Sequence, residues 1–145
     1  MAGPQVDFYL LSASDARARL AAACRLAEKA FDQGLRVAVR TSGPAETAEL
    51  DELMWTFSDR SFVPHAVWPA EPAVAEHTPV LIASGALPDS HRGVLINLAA
   101  EAVPAATGFG RICEIVGADE AAKKAARARW RSYREAGLAP ESHNL

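Results

Sequence analysis

The chain has 145 residues, half of them hydrophobic and 23% charged, with a formal net charge of −3 at pH 7. That length suffices for one domain with a substantial core, and the composition excludes a largely disordered chain. The slight acidity excludes polyanion binding through overall charge, so any such contact must come from a local patch. Cys24 and Cys113 both sit in apolar surroundings and are expected as buried, reduced thiols. No apolar run approaches the roughly 20 residues of a membrane span. The start, "MAGPQVDFYLL", has no basic stretch ahead of its apolar residues, so a secretory signal and a membrane partner are not expected and the chain reads as cytoplasmic.

"VDFYLL" (6–11) is an apolar run rich in strand formers, and Ser12 or Ser14 is placed to cap the helix after it. Over 15–33, Leu20, Ala23, Cys24, Ala27, Ala30 and Phe31 recur at helical spacing, with Gly34 as the stop. "RVAVR" (36–40) reads as a strand; "TSGPAETAELDELMWTF" then opens with turn chemistry and an early proline and predicts a helix ending near Trp55. The proline-rich stretch 58–79 reads as an irregular surface segment. "VLIAS" (80–84) and "GVLINLA" (93–99) read as buried strands around a charged loop, and "EAVPAATGFG" as a short helix and turn. "RICEIVG" (111–117) reads as the last strand, with a closing helix that begins at Asp119 and is ended by Gly137 and Pro140. Strands alternating with helices over short connections predict an α/β fold: a single three-layer domain over residues 1–145, with a mostly parallel sheet covered by helices on both faces.

Such a sheet invites a nucleotide site, but the turn after the first strand, "LSASDA", has no glycine to let backbone N–H groups approach a phosphate. "TSGPAE" lacks the lysine and spacing of a P-loop, and "GFG" precedes a strand rather than following one. The expected fold is therefore Rossmann-like without a nucleotide site. His65, His77, His91 and His143 are scattered through expected loops without paired spacing, so no metal is expected. Ser61 or Ser84 beside His65 lacks the G-x-S-x-G elbow of a hydrolase. The sequence thus predicts no catalytic site and no cofactor.

Core packing leaves two stretches unexplained. In "LMWTFSDRSFVPH" (53–65), Trp55, Phe57, Phe62, Val63 and Pro64 crowd a helix end and a loop. They form either an exposed partner surface or a satellite core under the loop. The second stretch is "AAKKAARARWRSYREAGL" (121–138), with six basic residues and two aromatics. Ala121, Ala125, Ala128 and Ser132 fall on one face of small residues suited to packing on a sheet. Lys123, Arg127, Trp130, Arg131 and Arg134 form another stripe. A solvated charged face is the ordinary account of such a stripe. Trp130 among guanidinium groups instead suits a ligand with an apolar end and a carboxylate.

On these residues the chain resembles the chi subunit of bacterial DNA polymerase III holoenzyme. The resemblance spans nearly the whole length. It runs from "FYLL" and "GLRVAV", through "LDELMWTFSDRSFVPHA" (a Leu-Asp-x-x-Leu-Trp helix and a Ser-Phe-x-Pro-His loop), to "RICEIV" and a helix of the form Arg-x-Arg-aromatic-basic-x-Tyr-Arg-x-x-Gly. The resemblance implies a non-catalytic clamp-loader adaptor. Its implied partners are the acidic, phenylalanine-terminated tail of single-stranded DNA-binding protein and the psi subunit, with DNA met only indirectly. It implies tail binding at Lys123, Arg127, Trp130 and Arg131, with Val116 beside them, and Arg127 on the terminal carboxylate. Trp130 stands where the family more often has tyrosine, which keeps an aromatic wall and removes a hydroxyl. The psi surface maps to Trp55, Phe62 and Pro64, and the resemblance implies the same surface for an accessory helicase. The alternative reading is direct single-stranded DNA binding by the basic helix, which would need a longer basic groove and more stacking aromatics.

Overall fold

The computed structural model describes residues 3–60, 62–104 and 106–145. In chain order the elements are β1 (Gln5–Leu10), α1 (Ala16–Asp32), β2 (Val37–Arg40), α2 (Pro44–Thr56), β3 (His65–Val67) and α3 (Pro72–His77). They continue with β4 (Val80–Ala83), β5 (Val94–Asn97), a 3-10 turn at Ala106–Gly108, β6 (Arg111–Val116), α4 (Glu120–Glu135) and β7 (Glu141–Asn144). Seven strands form one sheet in the order β3-β4-β2-β5-β6-β1-β7. All their pairings are parallel.

The central strands are apolar on both faces because helices cover both. Val37, Val39, Val80, Ile82, Val94, Ile96, Cys113 and Ile115 meet α1 and α2 on one side. Val6, Phe8, Ala38, Leu95, Ile112 and Val116 meet α4 and the 103–109 segment on the other. Both cysteines are buried and free, and burial pushes each thiol up to about 12. Among the described residues no helix is long and apolar enough to cross a membrane.

Four expectations are corrected. Asp15, rather than Ser12 or Ser14, caps α1, its carboxylate accepting from the Ala18 N–H at 2.6 Å. The 58–79 segment is not wholly irregular: it holds the edge strand β3 and the short helix α3, started by Pro72 at its first turn. β6 is not the last strand. After Gly137 ends α4 at φ +87°, β7 returns alongside β1, in register from Asp7↔Glu141 to Leu10↔Asn144. With these elements His65, His77 and His143 leave the loops where the sequence put them, for β3, α3 and β7 in turn.

The fourth correction concerns how α4 packs. Ala121, Ala128 and Ser132 are exposed and Ala125 is half-buried; the buried face is Ala126, Arg129 and Tyr133. The cause is Glu114, fully buried in β6. Its carboxylate accepts from Arg129 Nε at 2.8 Å, from the Tyr133 hydroxyl at 2.5 Å and from Asn97 Nδ2 at 2.9 Å. A buried carboxylate needs such partners, and the requirement outweighs the closer approach a face of small residues would allow. Burial pushes Glu114 above the usual carboxylate range, opposed by the Arg129 charge and these hydrogen bonds. Tyr133 also accepts from the Val103 N–H at 3.0 Å, so one cluster ties α4, β5, β6 and the following segment together.

Candidate functional site

α4 begins at Asp119, whose side chain accepts from the Ala122 N–H at 3.1 Å. With Arg129 and Tyr133 turned to the sheet, helical spacing sends Lys123 and Arg127 to the flank that overlooks the carboxyl ends of β1 and β6. Between that flank and the strands lies a pocket of about 260 Å³. Phe8, Leu10 and Leu11 line it from β1 and its end, Val116 and Gly117 from the end of β6, and Lys123, Ala126, Arg127 and Trp130 from α4, with Ser142 of β7 on the outer side. This is the strand end at which open α/β sheets commonly hold ligands.

Trp130 is half-buried, its indole 5.0 Å from the Phe8 ring and tilted by 51°. One face is therefore fixed by packing while the rest borders the pocket. Lys123 reaches Glu120 only at 3.9 Å. Arg127 and Arg131 are exposed, and among the described residues their guanidinium groups enter no ion pair or side-chain hydrogen bond. The chemistry is that of an apolar cavity with unspent cationic donors at its rim, suited to a ligand that is apolar in its body and anionic at its end.

Four of the five residues read from the sequence as one site, Lys123, Arg127, Trp130 and Val116, line the pocket. Arg131 does not; it lies one turn beyond Arg127 on the exposed flank. The sequence reading missed Phe8, Leu10 and Leu11, because residues of a strand and its end that look like core become lining only once a helix stands over them, and it missed Ser142, because an exposed polar strand carries no apolar pattern. It also missed Glu114, Arg129 and Tyr133. A lone acid inside "RICEIV" with Arg129 and Tyr133 four apart was the available signal, since a charge in a buried strand requires a partner.

Trp55, Phe62 and Pro64 form a second place on the molecule. Trp55 at 53% and Phe62 at 63% exposure have ring centroids 5.5 Å apart. Trp55 also lies 4.3 Å from the His65 ring. Val63 is buried and Pro64 half-buried. Both alternatives for this loop are thus partly realised: Val63 is core, and the two large aromatics face solvent. His65 is buried, with Nδ1 2.7 Å from the Val63 carbonyl and Nε2 3.0 Å from the Asp51 carbonyl. It therefore braces the loop. Ser61 lies outside the described residues.

Residues 4–141 match the family model described as DNA polymerase III chi subunit, HolC. The chain belongs to the DNA polymerase III chi subunit family. It is 41% identical over 141 residues to the DNA polymerase III subunit chi of Pseudomonas aeruginosa, covering 97% of this chain and 96% of that one. The Haemophilus influenzae subunit chi is 30% identical over 140 residues, 96% of each chain. That of Escherichia coli is 31% identical over 116 residues, 79% of this chain and 78% of the other.

Proposed function

We propose that this chi-family chain is a non-catalytic adaptor of DNA polymerase III in DNA replication. In this reading it binds the acidic C-terminal tail of single-stranded DNA-binding protein in the pocket under α4. Through the Trp55–Phe62 surface it binds a psi-type subunit of the clamp loader. The observation that carries the tail reading is the meeting of an apolar cavity, walled by Phe8, Val116 and Trp130, with Lys123 and Arg127 at its rim. A terminal phenylalanine ring fills the cavity while the planar Arg127 guanidinium takes the chain-end carboxylate through two parallel hydrogen bonds. Lys123, and Arg131 one turn further, attract the aspartates that precede the ring. The affinity then has an apolar part indifferent to salt and a charged part that salt screens.

Support for the second surface is the exposure of two adjacent aromatics beside a braced loop, the composition that anchors protein interfaces. An accessory helicase would compete with psi for it. The deciding experiment titrates the purified chain with a labelled peptide ending Asp-Ile-Pro-Phe and, separately, with a labelled single-stranded oligonucleotide. Saturable peptide binding that weakens with salt is expected. Tight oligonucleotide binding with no response to the peptide would reverse the reading in favour of direct DNA binding by α4.

A further inference from the structure

β7 is the one wall of the pocket that hydrophobic patterning does not account for. Its four residues are all exposed and among the described residues it pairs only with β1, so apolar burial does little to hold it. Polar contacts hold it instead. His143 Nε2 lies 2.8 Å from Asp7 Oδ1, and the imidazole stacks on Tyr9 with centroids 5.3 Å apart. Asp7 is fully buried, and its other oxygen accepts from Arg111 Nε at 2.8 Å. Arg111 also donates to the Tyr9 hydroxyl at 2.7 Å. Gln5 Nε2 donates to Asp7 Oδ1 at 3.1 Å and to Glu141 Oε2 at 3.4 Å. The buried carboxylate is thus locked by β6 through one oxygen, and its other oxygen, shared with Gln5, meets the last strand at His143.

Because side chains alternate along a strand, Asp7, Tyr9, Glu141 and His143 share one face. Phe8, Leu10 and Ser142 share the other face, where they line the pocket. Ser142 is the register partner of Phe8, the residue on which the Trp130 indole rests. Release of β7, or a slip by one residue, would move Ser142 off that face and open the pocket along the edge of β1. The region matched by the family model ends at residue 141, one residue before Ser142.

We infer that His143, by donating to Asp7 on one face of the sheet, holds β7 in register so that Ser142 forms the outer wall of the pocket on the other face. The C-terminal segment 141–145 is then part of the peptide site, and His143 is a positioning residue for it. The inference rests on the pocket being the site for an acidic peptide ending in phenylalanine. The ligand of this wall is the stretch of peptide just before the ring, which leaves the cavity between the α4 cations and β7.

The test is fluorescence anisotropy of the labelled Asp-Ile-Pro-Phe peptide against the full-length chain and its variants, each checked by circular dichroism. His143→Ala is expected to weaken binding about three- to fivefold. His143→Gln, whose amide N–H can reach Asp7, is expected to restore affinity to within about twofold of the parent. At the exposed wall position, Ser142→Glu should weaken and Ser142→Lys tighten binding by about two- to fivefold, since each changes the charge met by an acidic ligand; a purely structural role of β7 would move neither. If His143→Ala fails to fold, the Ser142 pair decides. Parent-like affinity of the Ser142 pair, and of His143→Ala where it folds, while Arg127→Ala is impaired, overturns the wall and leaves the pocket standing. Absence of peptide binding by the parent chain removes both.

Discussion

The pocket under α4 and the patch around Trp55 are both aromatic surfaces, and they differ in shape and charge. The pocket is concave, floored by strand residues, and rimmed by Lys123 and Arg127. The patch stands out from the end of α2, with Asp51 and Glu52 one turn before Trp55 and Asp59 just after it. In the proposed reading an acidic ligand is drawn to the first and repelled by the second. A concave site with paired apolar and cationic groups selects a chain end, whereas two exposed rings on a braced loop select a surface. On that proposal one small protein carries two contacts without their ligands exchanging places.

Four experiments would break or sharpen that contrast. Glu114→Ala should destabilise the chain by about 3–5 kcal/mol, because Arg129 is left buried without its partner; urea unfolding measures this. A loss below about 1 kcal/mol would mean that the cluster does not hold α4 over the pocket. Arg127→Ala should cost roughly 1.5–3 kcal/mol of tail affinity, the size of a charge-assisted bond, with the urea midpoint unchanged. Normal tail binding by that variant would displace the pocket from its role. Phe62→Ala should leave tail binding intact and stability within about 0.5 kcal/mol, yet cost about 1 kcal/mol or more in association with a purified psi-type subunit. An equal effect on both partners would erase the distinction between the surfaces.

The smallest effect concerns pH. Burial raises the Asp7 carboxyl, but the His143 hydrogen bond and then the Arg111 charge outweigh it, and the group sits below its ordinary value of 3.8. Its contribution is present above that value and is lost as pH falls through the lowered one. Acid unfolding should therefore be less steep in Asp7→Asn than in the parent chain, measured by circular dichroism over that range. Identical profiles would show that β7 is held without this carboxylate.

Much of the architecture was legible because period and punctuation agree with burial. The runs around Val37, Val80 and Val94 had to be strands of a covered parallel sheet, and Gly34 and Gly137 marked helix ends through the left-handed turn that glycine alone takes cheaply. β3 and β7 were not legible. One is three residues long and the other wholly exposed and polar, so neither carries an apolar alternation. Of the pocket, Lys123, Arg127 and Trp130 could be read from helical spacing with the family resemblance, while Ser142 could not be read at all.

By itself, then, the chain of residues determined the α/β class, the basic stripe of its last helix and the two aromatic stretches, since these depend on local periodicity and composition. The tertiary structure decided which face of α4 turns inward, that Trp55 and Phe62 face solvent, and that the C-terminus returns as a seventh strand. The physical reason is the same at α4 and at β7. A buried carboxylate must find its donors wherever the chain can bring them, and Glu114 and Asp7 draw in Arg129, Tyr133 and His143 from residues distant in sequence.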